Sequence, residues 1–126
     1  VGQITDKLPP LLEAVRREGR RVLWICDPMH GNTESTSNGY KTRRFRNIRD
    51  EIEQAFDLHA AAGTRLGGVP LELTGENVTE CLGGARQLTE ADLQRDYRST
   101  VDPRLNYEQS LEIAMLIVQK RGVIAA

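Results

Sequence analysis

The sequence predicts an α/β fold, on the evidence of two apolar strands with a helix between them. The first strand covers residues 21–27, whose run Val22-Leu23-Trp24-Ile25 is continuously apolar, as in a strand buried on both faces. The second covers residues 69–74, and residues 42–62 between them repeat apolar side chains at helical spacing. This order makes a βαβ unit, so we expect the two strands to be adjacent and parallel.

Three further helices are predicted around this unit. The first covers residues 4–19, although its Pro9 and Pro10 are tolerated only in a first turn. A short helix covers residues 89–97, where Thr and Asp stand at the spacing of a capping box. The last helix runs from Asn106 to Lys120 and is apolar on nearly every side, so we expect it to be buried.

The set of elements is too small for a closed domain. Residues 75–84 add a single helical turn at most, and two parallel strands need neighbours and cover on both faces. We therefore interpret residues 1–126 as one sector of a larger barrel, with no second domain. The 126 residues alone are expected to aggregate, to be molten or to require a partner chain.

Composition argues against several classes of partner. The chain has 17 Lys and Arg against 18 Asp and Glu, which gives no electrostatic basis for binding nucleic acid or an anionic membrane. No apolar run approaches the roughly 20 residues of a membrane span. Two cysteines are too few for a disulfide scaffold, so a reducing, cytoplasmic setting is the default expectation.

Three side chains that can bind a metal lie at strand ends or in turns. His30 follows the first strand, Asp102 lies in a turn, and Glu72 lies in the second strand, where a carboxylate is costly to bury unless paired or metal-bound. One imidazole and two carboxylates suit Mn²⁺, Fe²⁺, Co²⁺ or Zn²⁺. The residue types alone leave open a structural His, a salt-bridged Glu and a turn-capping Asp.

For other side chains, the sequence gives weaker indications of a functional role. Lys41 and Arg43 belong to a basic cluster that is suited to a substrate phosphate or carboxylate, with a solvated helix face as the alternative. Cys26 and Cys81 are interpreted as small hydrophobic residues, and His59 as a packing residue of the second helix.

Four blocks of sequence together resemble the class II 3-deoxy-D-arabino-heptulosonate 7-phosphate (DAHP) synthases, in the order of that family and over nearly the whole chain. The blocks are Asp27-Pro28-Met29-His30-Gly31-Asn32-Thr33, Gly39-Tyr40-Lys41-Thr42-Arg43, Leu71-Glu72-Leu73-Thr74-Gly75-Glu76-Asn77-Val78-Thr79-Glu80-Cys81 and Asp102-Pro103-Arg104-Leu105-Asn106. The start of the last helix, Gln109-Ser110-Leu111, also fits.

The resemblance implies a (β/α)₈ TIM barrel, of which this chain would supply the C-terminal sector, about the last two βα units. Such enzymes are cytoplasmic transferases that condense phosphoenolpyruvate with erythrose 4-phosphate, giving DAHP and phosphate at the entry to the shikimate pathway of aromatic amino acid biosynthesis. We expect the full-length enzyme to be a homo-oligomer.

The resemblance also implies a divalent metal, most often Mn²⁺ or Co²⁺, held by a Cys, a His, a Glu and an Asp. The last three fall on His30, Glu72 and Asp102, and His30 is also the expected catalytic residue. The family's Cys belongs to a segment far upstream, and neither Cys26 nor Cys81 matches it.

Two hypotheses from different classes follow. The first is an enzyme, either a DAHP synthase or a secondary-metabolism relative, to which this chain contributes part of the active site. The alternative is a truncated, non-catalytic homologue that acts as an interaction or regulatory module. The coding sequence upstream of Val1 discriminates between them.

Overall fold

The computed structural model describes residues 1–122, which form a mixed α/β structure with two small sheets. The helices are α1 (Ile4–Arg17), α2 (Phe45–Ala62) and α3 (Tyr107–Lys120), with 3₁₀ turns at His30–Asn32 and Glu90–Arg95. The strands are β1 (Trp24–Ile25), β2 (Thr33–Ser35), β3 (Lys41–Arg43) and β4 (Leu66–Gly68). The α/β class is thereby confirmed, while the complete barrel stays a prediction.

The predicted parallel pair is present, but its second strand lies earlier in the chain than expected. β1 pairs with β4 in parallel, with Trp24 opposite Leu66, and α2 connects them. The prediction of a strand over residues 69–74 was wrong, because Pro70 lacks the N–H that a ladder requires. A Cβ at Gly67 would lie only 3.1 Å from the carbonyl oxygen of Trp24, so glycine permits this close pairing.

β1 is shorter and more exposed than its apolar run suggested. The strand covers two residues rather than residues 21–27. Leu23, just before the strand, is 76% exposed, and Ile25, within it, is 51% exposed. Within residues 1–122, Trp24 packs against His59 of α2, whereas Leu23 and Ile25 stay exposed. Burial of the strand on both faces stays a prediction for the larger protein.

A β-hairpin that the sequence analysis missed lies between the parallel strands. β2 and β3 pair antiparallel, and the turn between them is closed by hydrogen bonds of Thr36 with the backbone of Tyr40. α2 therefore begins at Phe45 and not at residue 42. The strands have three residues each, too few for alternation to be recognised in the sequence.

The first two helices lie where the sequence predicted them. α1 runs through Pro9 and Pro10 rather than starting with them, so the expectation that the prolines mark a first turn was wrong; packing against α2 supports the helix despite the missing donors. α2 buries the predicted apolar face and ends at Gly63, whose φ of 71° suits glycine.

α3 is capped as predicted but is only partly buried. Asn106 and Gln109 form a reciprocal capping box at its start. Ile113 and Leu116 are in the core, whereas Leu111 and Met115 are about half exposed within residues 1–122, so burial of the helix on every side stays a prediction for the larger protein. The short helix predicted over residues 89–97 is a 3₁₀ helix with the expected capping box.

The core lies among α2, α3 and an irregular segment, Val78 to Leu82, rather than in the sheet. All five residues of this segment are buried, and no helical turn forms in it. Its backbone groups are paired by neighbours on several sides: Thr42 Oγ1 donates to the Glu80 carbonyl at 2.7 Å, and Gln109 Nε2 to the Cys81 carbonyl at 3.1 Å. Together with isolated backbone bonds, such as Leu82 N to the Arg43 carbonyl at 2.8 Å, these side chains take the place of a regular sheet ladder, which makes the burial of an irregular backbone possible.

None of the helices described over residues 1–122 is long and apolar enough to cross a membrane.

Candidate metal centre

The parallel pairing brings the three predicted metal-binding residues to one edge of the structure. β1 and β4 run in the same direction, so His30, which follows β1, and Glu72, which follows β4, lie beyond the same end of the sheet. Leu105 N donates to the Glu72 carbonyl at 3.0 Å, and Thr74 N to the Leu105 carbonyl at 2.9 Å. This bridge places the loop that carries Asp102 beside Glu72.

The three side chains converge on one point. His30 Nε2 lies 3.3 Å from Glu72 Oε1 and 4.0 Å from Asp102 Oδ2. One ligand atom from each residue falls in a group whose members are all within 4.8 Å of one another. His30 is mostly exposed, while both carboxylates are about one-third exposed, so the group is open to solutes on the imidazole side.

Asp27 fixes the orientation of the His30 ring. Its Oδ2 lies 2.7 Å from His30 Nδ1, and its Oδ1 accepts hydrogen bonds from the backbone N–H groups of Met29 and His30. Burial by itself would raise the pKa of Asp27, but these hydrogen bonds outweigh it and hold the pKa below its ordinary value. In a neutral imidazole, an ionised Asp27 favours the tautomer with the proton on Nδ1, which turns the Nε2 electron pair toward the two carboxylates.

Each carboxylate of the group also pairs with a cation from β3. Lys41 donates to Asp102 Oδ1 and Arg43 to Glu72 Oε2, and the two basic residues share a face because they are two positions apart in a strand. The hydrogen bond from Lys41 is the main reason that the pKa of Asp102 lies below its ordinary value. Every carboxylate thus has one oxygen paired with a cation and one that faces His30.

Lys41 and Arg43 differ in what they can reach. Lys41 is half exposed, whereas the Arg43 side chain is fully buried and also donates to the Pro103 carbonyl at 2.7 Å and to Thr33 Oγ1 at 2.9 Å. Arg43 is therefore placed to hold Glu72 and the Asp102 loop, and a direct contact with a solute would require it to be uncovered.

Comparison with known proteins gives this geometry a context. The model of the class-II DAHP synthetase family matches residues 1–118. The chain belongs to that family.

Curated relatives of the class-II DAHP synthetase chain are similar along almost all of its length. A phospho-2-dehydro-3-deoxyheptonate aldolase, AroG, of Mycolicibacterium smegmatis is 52% identical over 117 residues, 93% of this chain and 25% of the relative. Enzymes of the same name from Streptomyces coelicolor and Neurospora crassa are 48% and 50% identical, over 93% and 89% of this chain and 26% and 24% of their own length. The chain spans about a quarter of the relatives that it matches.

The residues of this class-II DAHP synthetase chain fit a divalent metal ion. Two atoms that bind one ion at about 2.0–2.2 Å lie no more than about 4.4 Å apart. The distances from His30 Nε2 to Glu72 Oε1 and to Asp102 Oδ2, 3.3 and 4.0 Å, satisfy this limit. A nitrogen and two carboxylate oxygens are a donor set typical of Mn²⁺, Fe²⁺, Co²⁺ and Zn²⁺.

Neither cysteine nor the second histidine belongs to this group. Burial raises the pKa of Cys26 to about 11 and that of Cys81 to about 12, so both thiols stay protonated at neutral pH. Neither thiol is in the cluster of potential ligands found among residues 1–122. His59 packs against Trp24, with ring centroids 5.6 Å apart, and contacts Thr64 Oγ1 through Nδ1 at 2.8 Å.

Sequence analysis missed two residues that shape the site, Asp27 and Glu80. Asp27 had a usable signal, because an Asp three positions before a His in a turn can accept from its backbone and orient its ring. Glu80 had none: it lies among buried apolar residues, and its partners are 18 to 24 positions away.

Proposed function

We propose that the protein carrying this chain condenses phosphoenolpyruvate with erythrose 4-phosphate, giving DAHP and phosphate. The convergence of His30, Glu72 and Asp102 on one point is the observation that carries this proposal. Membership of the class-II DAHP synthetase family and the names of the relatives support it. The chain supplies one part of the active site, because it spans about a quarter of those relatives.

His30, Glu72 and Asp102 would hold a divalent ion, with Mn²⁺ or Co²⁺ as the expected metals. The bound ion would supply a Lewis acid for the aldehyde oxygen of erythrose 4-phosphate. His30 would bind through Nε2, since Asp27 occupies Nδ1, and Glu72 and Asp102 through the oxygens that face His30. The two carboxylates contribute negative charge that favours a divalent cation over a monovalent one.

Lys41 would bind an anionic group of a substrate. Its ammonium is half exposed and lies beside Asp102, at the edge of the ligand group. A phosphate or carboxylate that arrives there meets a donor that needs little movement, and Lys is a common phosphate-binding residue. Arg43 would not touch the substrate, since its buried guanidinium holds the Glu72 carboxylate in place.

The architecture proposed for the whole protein is a TIM barrel, with this chain as a sector at its C-terminal end. The parallel pair with its connecting helix supports this, and so does the exposed apolar surface of β1, which a further part of the protein would cover. A cytoplasmic homo-oligomer is the form that we expect for the full-length enzyme.

The test uses the full-length protein, freed of metal with a chelator. Phosphoenolpyruvate and erythrose 4-phosphate are added with and without Mn²⁺, and phosphate release and DAHP formation are measured. We expect condensation only with the metal, and a loss of at least about a thousandfold for His30→Ala, since one ligand and its charge balance are lost. Mn²⁺ affinity of the same variant should fall in parallel.

His59→Asn is the matched control, because it changes the other histidine of the chain and retains a polar atom near Thr64. This variant should keep both metal affinity and activity. Full activity of the wild-type protein in excess chelator would overturn the proposed mechanism. A folded wild-type protein that forms no DAHP under any metal would overturn the proposed reaction.

A further inference from the structure

Asp102 lies in a loop without regular secondary structure, between the 3₁₀ helix at Glu90–Arg95 and α3. Its position therefore depends on what holds the loop. Within the loop, Ser99 Oγ donates to the Asp102 carbonyl at 2.6 Å and accepts from Val101 N at 3.2 Å. These bonds shape the turn, but they do not attach it to the rest of the structure.

Arg43 contributes to the attachment through the Pro103 carbonyl, and Leu105 through its bond to the Glu72 carbonyl, but the largest set of attaching hydrogen bonds is made by one buried carboxylate. Glu80 accepts hydrogen bonds from the backbone N–H groups of Arg98, Ser99 and Arg104, at 3.1, 3.0 and 2.9 Å. The Arg104 side chain adds two more, through Nε at 3.0 Å and Nη2 at 2.9 Å. We call these five hydrogen bonds the Glu80 clamp. They grip the loop on both sides of Asp102.

Glu80, which accepts the hydrogen bonds of the clamp, is itself held in the core. Glu80 has no exposed surface, and Thr42 Oγ1 donates to its carbonyl at 2.7 Å. Thr42 lies in β3 between Lys41 and Arg43, so the same strand carries the two basic residues and supports the Glu80 clamp.

The charge of Glu80 is favoured in the folded protein. Burial by itself would raise the pKa of Glu80, but the hydrogen bonds from Arg104 and Arg98 outweigh it and hold the pKa below its ordinary value. Each donor that moves away from a buried carboxylate costs free energy. Movement of the loop is therefore disfavoured.

We propose that Glu80 is a positioning residue for the metal centre: by gripping the loop at Arg98, Ser99 and Arg104, it sets Asp102 at the distance from His30 and Glu72 that one divalent ion requires. The inference rests on the proposed function, since it assigns Glu80 a part in binding the same ion. Glu80 touches neither the ion nor a substrate, and acts through Asp102.

Glu80→Gln in the full-length protein is the test. Glutamine keeps the size but its Nε2 cannot accept, so the donors on one side of the clamp lose their partner. Metal-free protein is titrated with Mn²⁺, and free ion is measured by electron paramagnetic resonance. We expect the Mn²⁺ dissociation constant to rise about 10–100-fold, the usual effect of removing a residue that orients a ligand. Amides of residues 98–104 should also exchange faster with deuterium in metal-free protein.

Glu108→Gln is the matched control, because it removes a carboxylate that pairs with Arg86 on the surface of α3. It should leave both measurements unchanged. If Glu80→Gln does not fold, Arg104→Lys decides in its place, since it replaces the two-donor guanidinium fork by a single ammonium and keeps the backbone bond. Its Mn²⁺ affinity should fall several-fold.

The proposal is overturned if a folded Glu80→Gln, or Arg104→Lys in its absence, binds Mn²⁺ as the wild type does. In that case wild-type binding would still depend on His30, and the proposed function would stand. If instead the wild type binds no Mn²⁺, or His30→Ala binds it equally well, the proposed function fails and the role of Glu80 fails with it.

Discussion

Charge at the candidate metal centre is balanced residue by residue. Lys41 pairs with Asp102 and Arg43 with Glu72, so neither carboxylate faces solvent without a counterion. The arrangement leaves one oxygen of each carboxylate toward His30. Like charges at this separation repel, and the two basic residues make the preformed arrangement stable before a cation arrives.

Asp27→Asn tests whether the tautomer of His30 matters. The asparagine amide N–H₂ can take the place of Oδ2 beside Nδ1, which makes Nδ1 the acceptor and moves the ring proton to Nε2. A protonated Nε2 cannot bind a metal. We expect Mn²⁺ affinity of the full-length protein to fall about 10–100-fold with the fold intact, as titration calorimetry and circular dichroism would measure.

Asp57→Asn is the control for this substitution, since Asp57 pairs with Lys120 on the surface and is distant in sequence from the ligand group. Equal Mn²⁺ affinity for Asp27→Asn and Asp57→Asn would show that Asp27 does not orient a metal ligand.

At the scale of single residues, the sequence indicated the candidate metal ligands better than the residues that contact or hold them. His30, Glu72 and Asp102 have side chains of types that bind metals. Their positions at strand ends and in turns distinguish them from the other His, Asp and Glu residues of the chain. Asp27 and Glu80 act through geometry that only the folded chain creates. Arg43 was expected at a substrate, yet its side chain is fully buried behind Glu72, because the β2–β3 hairpin turns it inward.

Among the elements, helices were predicted well and short strands poorly. A helix of 14 or 18 residues repeats its apolar period several times, as α3 and α2 do. β1 has two residues and β4 three, and β4 is mostly glycine, so no period exists to be recognised. The backbone of Val78 to Leu82 is paired by side chains and backbone groups from distant parts of the chain, which no local pattern encodes.

The capping box of α3 is expected to contribute more stability than that of the 3₁₀ helix at Glu90–Arg95. Asn106 is buried, accepts from Gln109 N at 2.9 Å and donates to the Val78 carbonyl at 3.2 Å. Asn106→Ala removes a cap and leaves buried polar groups unpaired, together about 2–3 kcal/mol. Thr89 is exposed, and Thr89→Ala should cost only about 0.5–1 kcal/mol.

Native-state hydrogen exchange of the amides at each helix start measures both effects in the full-length protein. Equal losses for the two variants would mean that burial of Asn106 and its bond to Val78 add nothing to the cap.

At the scale of the whole molecule, residues 1–122 have a core but also several large apolar side chains that are exposed. Leu23, Ile25 and Val101 are at least half exposed. In a protein as long as the relatives, of which this chain spans about a quarter, further segments would pack on such side chains. The expectation that residues 1–126 alone aggregate or need a partner stays a prediction. The small number of elements already indicated one sector of a larger barrel, and the resemblance added which kind of barrel and which end of it.

Anomalous diffraction from crystals of the full-length protein grown with Mn²⁺ tests the metal centre most directly. The predicted result is a single strong anomalous peak about 2.0–2.3 Å from His30 Nε2 and from one oxygen each of Glu72 and Asp102. A peak that touches fewer than two of these residues, in crystals where their side chains are ordered, would contradict the assignment of the metal centre.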